Sequence, residues 1–322
     1  MGQDTRLSAR RALSFSVVVP TRNRHTQLAE CLASLAAQDY PADRFEVVVV
    51  DDGSDPPIST VARSFEHRIA VRVVRRQHDG PGVARNAGVA AATGDCIAFT
   101  DDDCTVSQGW LSAYAKALAE HPDALLSGPI VNGLDDNVFA RTSQVLVDYL
   151  YGYYNRNAGR ATFLTSNNLA VSRAKLREVG GFDPIFVRAA GEDRELSSRW
   201  AHVGRPAFVV PDAVVTHRHH MGLQGFLRQH FGYGRGALYF HIKETERGNT
   251  NVRIEPRSFY TDMLRAPRAH ANGLAATTMS GLLIVSQAAN TAGYFWEKHI
   301  GRKRRGPASG MDAPQGRHDG DD

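Results

Sequence analysis

The sequence predicts a doubly wound α/β fold, a mostly parallel sheet with helices on both faces. Three observations carry the prediction. Short apolar runs alternate with segments of helical periodicity through the first third of the chain. One run, Phe45-Glu46-Val47-Val48-Val49-Val50, is too uniformly apolar for a strand with a wet face and suits one buried on both sides. Another, Cys96-Ile97-Ala98-Phe99, leads into Asp101, Asp102 and Asp103. Open α/β sheets bind ligands just beyond such strand ends.

Taken in order, the first strand is expected at 15–19. A helix over 27–38 follows, with Leu28, Cys31, Leu32 and Leu35 on one stripe. Strands at 45–50 and 70–74 flank a helix over 59–65. The turn Asp79-Gly80-Pro81-Gly82 then leads into a helix over 83–92 and the strand that feeds the aspartates. Beyond them the rhythm breaks. Helices at 110–120, 141–153, 173–179 and 192–202 are interspersed with extended segments at 124–131, 169–172 and 207–210. Residues 223–243 read as a long helix interrupted by Gly232, Gly234 and Gly236.

Composition narrows the function classes. Of 322 residues, 42% are hydrophobic and 22% charged, as in an ordinary globular chain that buries a sizeable core. Much of the basicity behind the net charge of +4 sits at the ends, in Arg6, Arg10, Arg11 and Arg302-Lys303-Arg304-Arg305. No basic stripe marks a nucleic-acid face, so no nucleic-acid partner is expected. Cys31, Cys96 and Cys104 lack metal-ligand spacing, and the first two fall in apolar patterns as small core residues. With no signal peptide in the polar N-terminus, a reducing, cytoplasmic compartment is expected.

From Ala271 to Trp296 no residue is charged. A membrane span needs about 20 predominantly apolar residues. Here Asn272, Thr277, Thr278, Ser280, Ser286 and Gln287 interrupt the stretch, and a span would translocate the basic cluster that follows. The expectation is a peripheral membrane contact through 271–305. Tyr294, Phe295 and Trp296 would sit at headgroup level, with Arg302 to Arg305 on anionic lipid. The plainer alternative is a helix packed on the globular body.

Three adjacent carboxylates repel one another. A divalent cation shared with a diphosphate compensates them, and a polar turn capping the next helix is the simpler alternative. The same sheet edge collects V-V-P-T-R-N (18–23), V-V-D-D-G-S (49–54) and G-x-x-x-A-R-N-x-G (80–88). Downstream follow S-N-N-L-A-V-S-R (166–173), V-G-G-F-D (179–183) and G-E-D-R-E-L (191–196). Together these resemble the family-2 glycosyltransferases, which have the GT-A fold, over about residues 15–220.

The resemblance implies a division of labour. Pro20 and Arg22 would flank the nucleotide base, and Asp52 would accept a hydrogen bond from a uracil-type N–H. Arg85 would lie near the diphosphate. In an extended segment Asp101 and Asp103 point one way and Asp102 the other. By resemblance Asp102 contacts the ribose and Asp103 ligates Mg²⁺ or Mn²⁺, with His217 completing the metal shell. Asp193 would be the general base. Cys104 stands where the family often carries a further Asp. Residues 227–234 lack the Trp of the Q-x-x-R-W element found in processive members, so one sugar per encounter is expected.

The implied domains are a flexible N-terminus (1–13) and a GT-A unit (14–220) with a nucleotide-binding half (14–104) and an acceptor half (105–220). A helical extension (221–300) and a basic, then disordered tail (301–322) complete the chain. The implied activity is inverting, metal-dependent transfer of one sugar from a nucleotide-sugar, UDP-linked in the first instance. The acceptor hydroxyl would belong to a glycan, a lipid-linked glycan or a small molecule in cell-envelope biosynthesis, at the cytosolic face of the cell membrane. The alternative is a non-catalytic nucleotide-sugar-binding protein of the same fold. A dinucleotide-dependent oxidoreductase would need G-x-G-x-x-G after the first strand, where Pro20-Thr21-Arg22-Asn23 contains no glycine.

Overall fold

Apolar runs buried on both faces make the centre of the sheet. Strands β1 (Phe15–Thr21), β2 (Phe45–Asp51), β3 (Ala70–Arg75) and β4 (Cys96–Thr100) are all parallel, in the spatial order β3-β2-β1-β4. Val17, Val19, Val47, Val49 and Ala98 face one hydrophobic core, and Val18, Val48, Val50, Ile97 and Phe99 face another. Each valine so buried contributes roughly 1.5–3 kcal/mol. The uniform valine run of β2 thus serves two cores at once. The computed structural model describes residues 12–134, 136–157, 159–188, 190–249 and 255–301. Nearly all of the expected N-terminal arm, and the tail with Arg302 to Arg305, lie outside the described residues.

Helices α1 (His25–Leu35) and α4 (Trp110–Glu120) cover the first core through Leu28, Leu32, Trp110 and Tyr114. Helices α3 (Pro81–Ala91), α6 (Arg173–Val179) and α7 (Glu192–His202) cover the second through Ala84, Val89, Leu176, Leu196 and Trp200. The short α2 (Ser59–Arg63) joins β2 to β3. Beyond β4 the sheet continues with antiparallel β8 (Asn168–Ser172), then β6 (Leu125–Ser127) and β9 (Ala207–Val209), for seven strands in all. All three cysteines are free and buried, Cys104 included.

The expected single extended run at 124–131 divides instead. Its first part is β6 in the main sheet, and its second is β7 (Ile130–Asn132) in a separate three-stranded sheet. There β10 (Val215–His217) pairs parallel with β7 and antiparallel with β5 (Cys104–Val106), and β10 and β5 are three-residue strands too short for periodicity to reveal. Asn168 ties the two sheets together. Its Oδ1 accepts from Trp110 Nε1 (2.8 Å) and Tyr114 Oη (2.6 Å), while Nδ2 donates to the carbonyls of Pro129 (3.0 Å) and Ala213 (2.8 Å).

The remaining helices are α5 (Val138–Tyr154), α8 (Leu223–Glu246), α9 (Arg257–Arg265) and α10 (Gly273–Trp296). The glycines expected to interrupt α8 leave it continuous, and two of them, Gly234 and Gly236, serve close approach instead. A Cβ on Gly234 would stand 1.7 Å from the Asn290 carbonyl oxygen of α10, and one on Gly293 would stand 2.0 Å from that of Phe231. Backbones this close exclude any side chain. Helix α10 packs on α8 and α5 through Ala276, Met279, Leu283, Ser286 and Gly293 and leaves its other face exposed. Among the described residues no helix is long and apolar enough to cross a membrane. Gly234→Ala should force α8 and α10 apart and lower stability by about 1–3 kcal/mol. A urea midpoint unchanged from that of the parent protein would show that this contact is not tight.

Candidate active site

The parallel register brings the carboxyl ends of β1, β2 and β4 to one edge, with Thr21 beside Asp51. The two aspartates of Asp51-Asp52-Gly53-Ser54 then part company. Asp51 is fully buried, and its Oδ1 accepts from the Ser54 N–H (2.8 Å). Ser54 Oγ in turn accepts from the N–H of Asn23 (3.0 Å), which sits in the left-handed region at φ 57°. Asp52 turns toward the 78–80 loop. Its oxygens accept from the N–H groups of Asp79 (3.1 Å) and Gly80 (3.3 Å) and contact His78 Nδ1 at 2.7 Å. Pro20 is half-buried at the end of β1, and Arg22 is exposed.

The aspartate trio is a turn, not an extended segment. The Cys104 N–H donates to the Asp101 carbonyl (3.1 Å), so Asp102 and Asp103 are its central residues and the expected alternation fails. Asp101 faces Arg85. Asp102 and Asp103 share Arg24, whose Nη1 donates to Asp102 Oδ1 (2.9 Å) and Asp103 Oδ2 (2.7 Å). Thr21 Oγ1 also donates to Asp102 (2.7 Å). The end of β10 and the segment just after it bring two histidines to Asp103: His217 Nε2 lies 3.3 Å from Oδ1 and His219 Nδ1 lies 3.3 Å from Oδ2.

These contacts resolve the crowding of charge unequally. Burial, together with the negative charge of Asp103, lifts Asp102 to about 6 against the pull of Arg24. Burial would lift Asp103 too, but hydrogen bonds from His217 and His219 and the positive charges of His217 and Arg24 hold it well below the usual carboxylate range. Asp103, His217 and His219 each offer one ligand atom, all within 4.8 Å of one another. A carboxylate oxygen with two imidazole nitrogens suits a small divalent ion, and the nitrogens favour a transition metal such as Mn²⁺ over Mg²⁺.

Gly191, at φ 90°, turns the chain into α7 and brings Glu192 and Asp193 into its first turn, where the helix dipole favours acids. Arg85 is buried between two elements. Its Nη2 donates to Asp101 Oδ1 (2.7 Å) and its Nη1 to Glu192 Oε1 (3.1 Å), while Phe182 lies against the guanidinium. Each terminal nitrogen thus holds a carboxylate, while the buried Nε has no hydrogen-bond partner among the described residues. Burial and the neighbouring Asp193 push Glu192 up to about 7 in spite of Arg85. Asp193 is also raised by burial, against hydrogen bonds from the backbone N–H groups of Arg194 (2.7 Å) and Ser166 (3.4 Å). Arg85, Asp101, Glu192, Asp193, His217 and His219 line one cleft.

Of the expected residues, the structure thus gathers Asp103 and His217 in one cluster, with Asp102 beside Asp103 through Arg24. It brings Arg85 and Asp193 to the cleft that His217 also lines, and holds Asp52 at the neighbouring loop. Sequence reasoning missed His219 and Arg24. The first was signalled by His-x-His at a strand end, which puts both rings on one face. Nothing in the local sequence marks Arg24, which caps α1.

The model of glycosyl transferase family 2 matches residues 16–180, half of the chain. The chain belongs to that family. Its GT-A architecture is also that of solved structures of low identity. A Pyrobaculum calidifontis mannosyltransferase, solved with GDP-Man and Mn²⁺, superposes with a TM-score of 0.61 at 21% identity, over 90% of this chain and 89% of that one. Staphylococcus aureus TarS 1–349 with UDP-GlcNAc gives 0.53 at 19% identity, over 91% and 92%. In sequence, the pre-mycofactocin glycosyltransferase of Mycobacterium tuberculosis is 28% identical over 237 residues, 72% of this chain and 48% of that protein. The chain thus spans about half the length of that curated relative.

The Glu192 environment generates a pH test. Its folded-state value of about 7 lies above the ordinary carboxylate value of 4.5, so the folded state retains a proton that the unfolded state has released. The stability this contributes is complete below 4.5 and is lost as pH rises through about 7. Glu192→Gln should flatten the fall in unfolding free energy across that window, by on the order of 2–3 kcal/mol. Denaturant titrations at pH 5 and 8 with equal slopes in both proteins would contradict it.

Proposed function

We propose that this family-2 glycosyltransferase transfers one sugar, with inversion, from a nucleoside-diphosphate sugar to an acceptor hydroxyl. The observation that carries the proposal is that Asp193 lines one cleft beyond the sheet edge with His217 and His219, the two histidines that cluster with Asp103. Asp193 takes the proton of the acceptor hydroxyl as its oxygen attacks the anomeric carbon. The new C–O bond forms opposite the leaving diphosphate, and a single displacement inverts that carbon. Burial of Asp193 increases its basicity, and the N–H groups of Ser166 and Arg194 fix its orientation. A non-catalytic binding protein would have no need of such a base.

Asp103, His217 and His219 would hold a divalent cation, Mn²⁺ in preference to Mg²⁺, whose chemistry when bound is to neutralise charge on the departing nucleoside diphosphate. Asp52 would accept from a base N–H, uracil in the first instance, beside Pro20 and Arg22. Asp102 would contact the ribose hydroxyls. Arg85, with its terminal nitrogens on Asp101 and Glu192, acts as a positioning residue between them. Asp193→Asn should retain Mn²⁺-dependent UDP binding in calorimetry and lose transfer by roughly 10²–10⁴-fold. Near-parental turnover would place the base elsewhere. Asp103→Asn should abolish the metal dependence of UDP binding, and undiminished dependence would refute the metal assignment.

We further propose a peripheral contact with anionic bilayer at the cytosolic face of the membrane, through the exposed side of α10. Leu274, Ile284, Val285, Phe295 and Trp296 are exposed along it, and Ile300 just beyond its end. Lys298 is exposed at the same end, and the sequence continues into Arg302-Lys303-Arg304-Arg305. The full chain should sediment with phosphatidylglycerol vesicles and not with phosphatidylcholine vesicles. Replacing both Phe295 and Trp296 by Ser should release it. Equal sedimentation of parent and variant would reject this face as the contact.

A further inference from the structure

The cleft continues beyond Asp193 to a wall built by β7, α5 and α8, and that wall differs in chemistry from the catalytic side. Its described residues include Asn132, Ser143, Gln144, Met221, Gln229 and Tyr233, none of them charged. The catalytic side is rich in acids, with Asp101, Glu192 and Asp193. Its one arginine, Arg85, is already bound to Asp101 and Glu192. A phosphorylated or carboxylated acceptor entering here would meet acids without an uncommitted arginine or lysine among the described lining residues.

Two buried oxygens along the cleft have no hydrogen-bond partner, Asn167 Oδ1 and Gln229 Oε1. A buried acceptor atom left unpaired is costly, and hydroxyl groups of a bound ligand supply the missing donors. Asn167 follows Ser166, whose N–H holds Asp193, so one of the two lies one residue from a contact of the proposed base. Gln229 lies on α8, with its Nε2 donating to Tyr233 Oη (2.5 Å). Tyr233 is 36% exposed and lines the cleft, so its ring offers an apolar platform next to those acceptors.

We propose that this wall is the acceptor subsite and that it selects an uncharged sugar or polyol. Tyr233 supports the ring, while Gln229 and Asn167 accept from its hydroxyls. The proposal rests on the transferase reading above and names the acceptor class for it. The test measures nucleoside diphosphate release from a panel of UDP- and GDP-sugars with Mn²⁺ present. Each donor is tried alone, with neutral p-nitrophenyl glycosides, and with the corresponding sugar 6-phosphates and uronides.

The expected result is stimulation by neutral glycosides and little by the charged ones. Tyr233→Ala and Gln229→Leu should each raise the KM for the stimulating glycoside roughly tenfold, the loss of one hydrogen bond or contact, with little change in kcat. Their Kd for UDP with Mn²⁺ should match that of the parent, which excludes misfolding. Tyr233→Phe keeps the ring face and should stay near the parental KM. Greater stimulation by phosphates or uronides overturns the subsite assignment. So does donor hydrolysis that no neutral glycoside stimulates, or a KM that neither variant changes, and each of these leaves the transferase reading intact. Absence of any donor turnover removes both.

Discussion

The arrangement at the sheet edge depends on one buried guanidinium. Arg85 reaches from α3 to Asp101 at the end of β4 and to Glu192 at the start of α7, two elements far apart in sequence. Without it, Asp101, Glu192 and Asp193 would meet as three partly desolvated acids, and removing one member of a buried charge cluster typically costs about 3–5 kcal/mol. Arg24 does the same for Asp102 and Asp103 on the other side of the turn. Five carboxylates therefore converge because two arginines divide them. Glu192 and Asp102 are lifted toward neutrality while Asp103 stays fully ionised. A ligand-binding edge needs that division, since equally charged acids would repel one another as strongly as they attract a cation.

The central sheet was legible because its strands are buried on both faces. The apolar run of β2 and the Cys96–Phe99 run admit few other readings, and α4, α6 and α7 begin and end where periodicity places them. What escaped was short or nonlocal. Strands β5 and β10 are three residues each, yet their antiparallel pairing sets His217 opposite Cys104 and so beside Asp103. The glycines of α8 read as breaks because propensity is local. The role of Gly234 appears only when α10 presents its backbone, and that of Gly236 only when Ala190 does. Motif residues also proved to be of two kinds. Asn86 spends its amide on the backbone of Phe182, joining the Ala84-Arg85-Asn86 and Gly180-Gly181-Phe182 elements, whereas Arg85 beside it reaches the cleft. A motif read as one functional unit is part scaffold.

Helix α8 connects the chemistry to the C-terminal helices. Gly236 lies so close to the Ala190 carbonyl that a Cβ there would stand 2.0 Å from its oxygen, immediately before the turn that carries Asp193. Two residues earlier, Gly234 meets α10, and Arg235 between them donates to the buried Glu297 at the end of α10 (2.5 Å). Gln229 and Tyr233 project into the cleft from this same segment. The proposed acceptor wall, the proposed base Asp193 and the exposed face of α10 are thus set by contacts along two turns of one helix. Displacing α10 would shift Tyr233 relative to Asp193, because close-packed backbones pass on displacement instead of absorbing it. If α10 rests on a bilayer, the height of the proposed base Asp193 above the lipid is one that α8 determines.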